Sequence, residues 1–479
     1  MTAVTTGADD RWFFGHPKPL AFLAFTEAWE RFSYYGMTAL LVLYMTKQLL
    51  LPGHVENIAG FDTARTFFEH TYGGGKAMTV VALASAIYGF YASTVYVTPF
   101  LVGGPLGDWV LGRTGTIILG ACLMATGHFL MAFDVSFLGA LACLMLGAGC
   151  LKGNLAAQVG GLYSETDNRR ADAFQIYYLG INGGVIFGPV VTGLLGAKWG
   201  WHFGFGAAGI GMLVSLGIYL YGRRYLPPEA PRGAAARRDA KALAGPMSAR
   251  DWKVLILLLM LLPVLALSIV GNNQIQNAYL VWADANADLH LFGYLVPTPL
   301  LVAVDSIVSV VTLALMVLFW RAWAKRYKEP DEIGKIVIGC VFGAAGVACL
   351  ALGATLTPAG EKVPFLWLLA FHLLNDIGFA NVLPVGLAFY ARSAPRAVAG
   401  LIVGIYYLHL WAGNTLVGYL GGKLDKMPAA QFWWLHAALV LTAGAIFFVV
   451  WLVFGRLLRG EPSHLDAAGV VAADAGETP

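Results

Sequence analysis

Twelve apolar runs, each long enough to cross a bilayer, recur along the 479-residue sequence and leave little room for any other architecture. They fall at about 20–49, 77–102, 114–133, 136–163, 171–198, 202–221, 252–284, 296–326, 332–357, 363–391, 396–423 and 430–458, the longer ones tilting or protruding. Hydrophobic residues make up 58% of the chain and charged residues 12%, and the mean hydropathy is +0.67. This is the composition of an all-α, polytopic membrane protein, and no polar stretch between the first and last runs could hold a soluble domain. A net charge of +3 carries no signal for nucleic acid, and no such partner is expected. The five cysteines (Cys122, Cys143, Cys150, Cys340 and Cys349) all lie inside apolar runs and read as small packing residues, not as disulfides or metal ligands.

Twelve crossings put both termini on one side, and the basic residues indicate which. With the N-terminus in the cytoplasm, 22 Lys and Arg fall on the cytoplasmic side and seven on the other, leaving Arg31 and Lys152 inside the membrane. That bias follows the positive-inside rule. Residues 1–19 contain Asp9, Asp10 and Arg11 and lack the apolar core of a signal peptide, so the first run is expected to target the chain. Between the sixth and seventh runs, eight basic residues from Arg223 to Lys253 lie in a stretch rich in Pro, Ala and Gly, which reads as a flexible tether. Its charges suit topology; lipid-headgroup or partner binding is the alternative. The expected layout is a cytoplasmic tail at 1–19, a six-helix half at 20–221, a basic cytoplasmic linker at 222–251, a second six-helix half at 252–458 and a cytoplasmic tail at 459–479. This layout is similar to a major-facilitator-type bundle, in which substrate sits near the midplane between halves that rock about it.

Within the first run, the stretch FTEAWERFSYYG (Phe25 to Gly36) carries Glu27, Glu30 and Arg31 where lipid tolerates no charge. Spacings of three and four put them on one helical face, with Glu27 able to pair with Arg31. Charges at this depth usually face a bundle interior or a water-filled path; the plainer alternative is a structural bridge between helices. The fourth run holds Lys152 in GCLKGN, too far from either end to snorkel easily, so pairing with Glu27 or Glu30 is expected. Two carboxylates against two cations would form a neutral cluster that one proton unbalances, a physical basis for a proton switch.

The fifth run adds Tyr177, Tyr178 and Asn182, the last two on one face, and the first two runs add Tyr34, Tyr35, Tyr91 and Tyr96. Each of these tyrosines could line a pocket or simply pack. Between the second and third runs, Gly103 to Arg113 reads GGPLGDWVLGR: glycines for a tight reversal, with Asp108 and Arg113 placed for charged contacts at a helix end. This resembles the major-facilitator loop signature, which implies a gating role for Asp108 and Arg113.

Glu27-x-x-Glu30-Arg31-Phe32-x-Tyr34-Tyr35-Gly36 resembles the first-helix signature of the proton-dependent oligopeptide transporter (POT/PTR) family. The Gly103–Arg113 loop, Lys152 followed by Asn154, and Tyr178 to Asn182 match that family in the same order, and the likeness is dense over about residues 20–200. The resemblance implies a proton-driven importer of di- and tripeptides. Glu27, Glu30, Arg31 and Lys152 would couple proton to substrate, Arg31 and Lys152 would suit the peptide carboxylate, and Tyr34, Tyr35, Tyr91, Tyr178 and Asn182 would line the pocket.

The second half departs from the pattern. Pro384-Val385-Gly386-Leu387 and Ala394-Pro395 fit it, but Phe379 stands where the family carries a glutamate for the peptide amino group. Ile269 and Tyr406 replace two expected tryptophans, Asp305 replaces an asparagine, and two helices often found between the halves of bacterial members are absent. Asp305 lies about 15 Å into its helix, near the midplane. Asp376, one turn from Phe379, shares its face. Both acids are candidates for the missing negative charge, Asp305 also for proton coupling; the alternative is structural pairing with His372, His409 or Asn375. His128, His372 and His409 otherwise read as satisfied packing histidines.

The expected function is therefore a proton-coupled symporter of short peptides, a monomer in the inner membrane of a bacterium. Its partners would be the peptide and the lipid bilayer, with no cofactor beyond the coupling proton. The alternatives are another small organic solute or anion as cargo, or a nutrient sensor that binds without transport. No HExxH, Gly-x-Gly-Asp or Ser–His arrangement suggests an enzyme.

Overall fold

The computed structural model of the chain describes residues 11–164, 167, 169–229, 247–291, 293–395 and 398–458. Most of the expected 222–251 linker, the first ten residues of the N-terminal tail and the whole 459–479 tail lie outside the described residues.

Helix forms wherever the sequence is continuously apolar, because a backbone in lipid must satisfy its own hydrogen bonds. The first group comprises α1 (Lys18–Tyr44), α2 (Phe61–Thr71), α3 (Val80–Thr98), α4 (Gly112–Leu130), α5 (Phe137–Leu151), α6 (Asn154–Gly160), α7 (Arg169–Trp199) and α8 (Trp201–Gly222). After the undescribed stretch come α9 (Ala249–Ser268), the single turn α10 (Val270–Asn273), α11 (Ala278–Asn286), α12 (Leu300–Ala324), α13 (Glu332–Leu356), α14 (Phe365–Ser393), α15 (Ala399–Tyr406), α16 (Leu408–Gly421) and α17 (Ala429–Leu458). Among the described residues, nine helical stretches are long and apolar enough to cross a membrane. Helix α1 is as long as most of these but carries its three charges mid-length.

Three of the apolar runs are interrupted. The fourth breaks at Lys152 and Gly153, where ψ of +131° is followed by φ of +84°, a left-handed value that glycine adopts without strain. The seventh breaks after Ser268 and again at Asn277, with φ −129° and ψ −111°, and the eleventh is offset at Tyr407. Apolarity alone does not register the fourth and eleventh breaks, whereas the seventh falls on the polar stretch GNNQIQN at 271–277. Nor does apolarity register amphipathic α2, or the two-residue hairpin pairing His290–Leu291 with Tyr294–Leu295.

The Gly103–Arg113 segment is not the tight reversal its glycines suggested. Two wide π-helical turns, Pro99–Gly103 and Leu106–Val110, continue α3, and the chain turns only at Gly112 with φ +77°. Gly103 and Gly107 serve close approach instead: a Cβ on them would meet Gly149 O at 2.0 Å and Asn154 Oδ1 at 2.4 Å.

Helix α1 occupies the middle of the first group, packed on α7 and α8. The approach to α7 is set by a stripe of Gly180, Gly184 and Gly188, four residues apart; a Cβ on Gly184 would stand 2.1 Å from Ala28 O. Thr192, on the same stripe, donates from Oγ1 to Gly36 O at 2.8 Å. The second group centres on α13, which packs on α14 and α17. The groups meet chiefly where α3 lies on α16 and α7 on α12. In the first contact Gly89 faces Gly418 so closely that a Cβ on Gly89 would be 2.4 Å from the Gly418 Cα. At the end of the bundle that carries the α1 C-terminus, Lys47 pairs with Asp284 at 2.5 Å, and Thr298 Oγ1 donates to the other Asp284 oxygen at 2.7 Å.

Candidate functional site

The glycine stripe of α7 lets α1 bury its charges. Glu27, Glu30 and Arg31 are 5%, 0% and 9% exposed. Arg31 Nε lies 2.8 Å from Glu27 Oε1 and equally close to Glu30 Oε2. That nitrogen has one hydrogen, which points at Glu27, so neither Glu30 oxygen accepts a hydrogen bond.

Lys152 does not join this pair as expected. The α5–α6 break aims its ammonium at aromatic faces, 4.4 Å from the Tyr96 ring centre and 5.2 Å from that of Tyr34, with no carboxylate in ion-pair distance among the described residues. Cation–π contact is what a desolvated ammonium finds when the nearby acids are taken. Asn154, next to the break, donates from Nδ2 to Gly103 O at 3.1 Å and Cys150 O at 2.9 Å, fixing the break against the end of α3.

Beside this cluster lies a cavity of about 270 Å³ between the two groups of helices. Tyr34, Tyr35, Tyr88, Tyr96 and Asn182 line one side, and Asn273, Gln276, Asp305, Asp376 and Phe379 the other. Tyr88 Oη donates to Gln276 Oε1 across it at 3.0 Å. Several of the expected site residues lie off its wall. Arg31 sits behind Tyr34 and Tyr35, Tyr91 is fully buried with its ring stacked on Tyr34 at 6.2 Å, and Tyr178 is 56% exposed. Lys152 reaches the cavity only through the two tyrosine rings. Asp108 and Arg113 are exposed and form no ion pair among the described residues. A larger cavity of about 710 Å³ lies next to Lys47 and Asp284, away from the buried charges.

On the second group's side, His372 Nδ1 lies 2.9 Å from Asp305 Oδ1, and its Nε2 lies 2.8 Å from Tyr279 Oη. Asp376 is 1% exposed and neither of its oxygens has a hydrogen-bond partner among the described residues. Of the remaining histidines, His128 departs from the expectation of satisfied packing, since neither ring nitrogen has a partner among the described residues, and His409 uses Nδ1 alone there, against Tyr406 O. Ile269 and Tyr406 are both buried off the cavity wall, and Tyr406 Oη donates to Leu383 O at 2.6 Å.

The family model described as PTR2, POT family, matches residues 114–250 and 247–435, more than half of the sequence. The chain belongs to the POT family. A peptide transporter of Yersinia enterocolitica is 29% identical over 521 aligned residues, covering 94% of this chain and 97% of its own. A di-/tripeptide transporter of Lactococcus lactis subsp. cremoris is 27% identical, covering 83% of this chain and 88% of its own. The crystal structure of a peptide transporter POT in complex with sulfate has the same fold, with a TM-score of 0.80 at 24% identity over 94% of this chain and 98% of that one.

Within this POT-family chain, the wall residues that sequence reasoning missed include Tyr88, Asn273 and Gln276. Tyr88 could have been read from its spacing to Tyr91 and Tyr96 on one helix. Asn273 and Gln276 reach the cavity because α10 and the turn after it break the seventh run, and the polar stretch GNNQIQN at 271–277 is the signal that could have found them.

Proposed function

We propose that this chain is a proton-coupled symporter that imports di- and tripeptides by alternating access between two six-helix halves. The observation that carries the proposal is the buried Glu27–Glu30–Arg31 group directly behind the tyrosine wall of a cavity between the two helix groups. At about 270 Å³ that cavity lies just below the range of about 300–1,000 Å³ common for small-ligand sites, a scale that suits a dipeptide. Proton uptake on Glu30 leaves Arg31 and Lys152 with one fewer opposing charge, so the positive face behind Tyr34 and Tyr35 strengthens as substrate carboxylate arrives. The coupling ion is thus the proton, with no other cofactor.

The Lys47–Asp284 pair and the glycine contact of α3 with α16 close the end remote from the termini. With cytoplasmic termini in a bacterial inner membrane, as the basic-residue bias favours, this is an inward-facing state. Asp108 and Arg113 then take their gating role on the cytoplasmic side when that end closes. A monomer suffices for this cycle.

One observation favours a second cargo: Phe379 offers an apolar face where peptide recognition expects a carboxylate, so an uncharged or anionic small solute is the competing reading. Reconstituted vesicles with an inward proton gradient test both. Dialanine uptake that collapses with a protonophore supports the proposal. Failure of every di- and tripeptide in a panel, while an amino acid, a nucleoside or nitrate is taken up, overturns the peptide assignment.

A further inference from the structure

Past Val310, helix α12 is exposed over most of its surface, with Val311, Leu315, Leu318 and Phe319 all open. From Leu300 to Trp320 its only charge is Asp305, and that stretch spans about 30 Å, the thickness of a hydrocarbon core. The character then changes within one turn. RAWAKRYK (321–328) is exposed at every residue and places Arg321, Lys325, Arg326 and Lys328 at the depth where lipid headgroups begin. Val311, Leu318 and Lys325 are seven residues apart, so the apolar stripe runs into the cations on one face.

Aromatic residues hold this tip in shape. Phe319, Trp323 and Tyr327 pack ring on ring, with centres 5.7 and 4.8 Å apart, and Trp323 Nε1 donates to Lys328 O at 3.3 Å. On the inner side Trp320 Nε1 donates to Asn381 Oδ1 at 2.9 Å, and the Lys335 ammonium lies 5.0 Å from the Trp320 ring centre. Three acids follow in sequence, and each is engaged elsewhere. Glu329 pairs with Lys335, Asp331 caps α13 at Gly334 N and accepts from Trp451 Nε1, and Glu332 pairs with Arg392 at 2.6 Å. The four tip cations form no ion pair among the described residues.

We propose that this tip is a binding site for the headgroup of an anionic phospholipid, with Arg321, Lys325, Arg326 and Lys328 around the phosphate and Trp323 and Tyr327 at the boundary with the acyl chains. Tryptophan and tyrosine suit that boundary, and each cation beside it strengthens the hold on an anionic lipid by about fivefold. A zwitterionic headgroup brings its own ammonium to the cluster and gains far less. A soluble partner fits less well, because the tip stands at the foot of a lipid-covered surface. The site lies about 24 Å along α12 from Asp305, so it is separate from the central cavity and independent of the cargo. Because α12 starts beside Thr298, which bonds Asp284, the tip belongs to the end of the bundle opposite the Lys47–Asp284 pair.

Native mass spectrometry of the full-length protein, delipidated and offered equal amounts of phosphatidylglycerol and phosphatidylcholine, tests the site. The wild-type protein should retain phosphatidylglycerol in preference by about tenfold or more, and Lys325→Gln/Arg326→Gln should fall to within about twofold of parity. Arg321→Gln/Lys328→Gln, on the flanks of the tip, gives an independent reading of the same loss, and Lys325→Arg should keep the preference. Arg223→Gln/Arg224→Gln removes two cations from the same end of the bundle and should keep it as well. All variants should melt as the wild type does in phosphatidylcholine alone, since the exchanged side chains are exposed. No preference in the wild type, a preference that survives both tip pairs, or an equal loss in Arg223→Gln/Arg224→Gln overturns the proposal. Displacement of the lipid by equimolar inorganic phosphate would mark a free-anion site and overturns it too.

Discussion

Arg31 Nε has one hydrogen and two carboxylate neighbours, and that asymmetry divides their roles. Glu27 holds the hydrogen bond, while Glu30 is close but unbonded and can take a proton without breaking one. Glu30→Gln should therefore fold normally and lose gradient-driven uptake by at least about tenfold, about 1.4 kcal/mol of coupling, while counterflow without a gradient persists. Glu27→Gln should lose both and lower the melting temperature, because it breaks the hydrogen-bonded buried pair and leaves Glu30 alone to balance Arg31, so that Glu30 cannot take up a proton without baring a buried charge. Equal loss of both activities in the two variants would contradict the division. At this scale the sequence was informative about α1, since i, i+3 and i+4 spacing fixes a shared face whatever the tertiary context. It was less informative about Lys152. Its partner depends on the direction in which the α5–α6 break sends the side chain, and a break made by one glycine dihedral leaves no trace in hydropathy.

The same break shows how local geometry sets the site among the elements. Gly153 adopts φ +84° with open space around it, so only backbone strain opposes a side chain there. Gly153→Ala should cost about 1–3 kcal/mol, the penalty for holding an L-residue in a sparsely populated region of positive φ. It should also swing Lys152 away from Tyr34 and Tyr96. Thermal unfolding in detergent reads the first effect, and the change in tyrosine near-ultraviolet absorption reads the second. An unchanged protein on both counts would mean that the break tolerates relaxation. The run pattern located the long helices because continuous apolarity and length suffice for them. The interruptions in the fourth and eleventh runs were hidden within largely apolar stretches, while the seventh carries the polar stretch GNNQIQN at 271–277, a mark that the length of the run masks. Amphipathic α2, with mixed faces and little net hydropathy, was hidden for the opposite reason.

At the scale of the whole molecule, the polar links between the two helix groups among the described residues include the Lys47–Asp284 pair at one end and Tyr88 to Gln276 beside the cavity. If the cycle requires the first to part, a disulfide between Lys47→Cys and Asp284→Cys should abolish uptake, and reductant should restore it. Uptake that continues with the bond formed would exclude opening at that end. Where α3 crosses α16, Gly89 and Gly418 meet backbone to backbone, with Tyr72 and Ser85 beside them. Such a contact works as a fulcrum. With no side chain between the two glycines, the helices can tilt about that point. Gly404 lies at the far end of the α15–α16 arm, on Phe100. A few degrees of tilt at the bearing become an ångström-scale opening at the mouth, and a single methyl on either glycine would shift the axis for the entire lever.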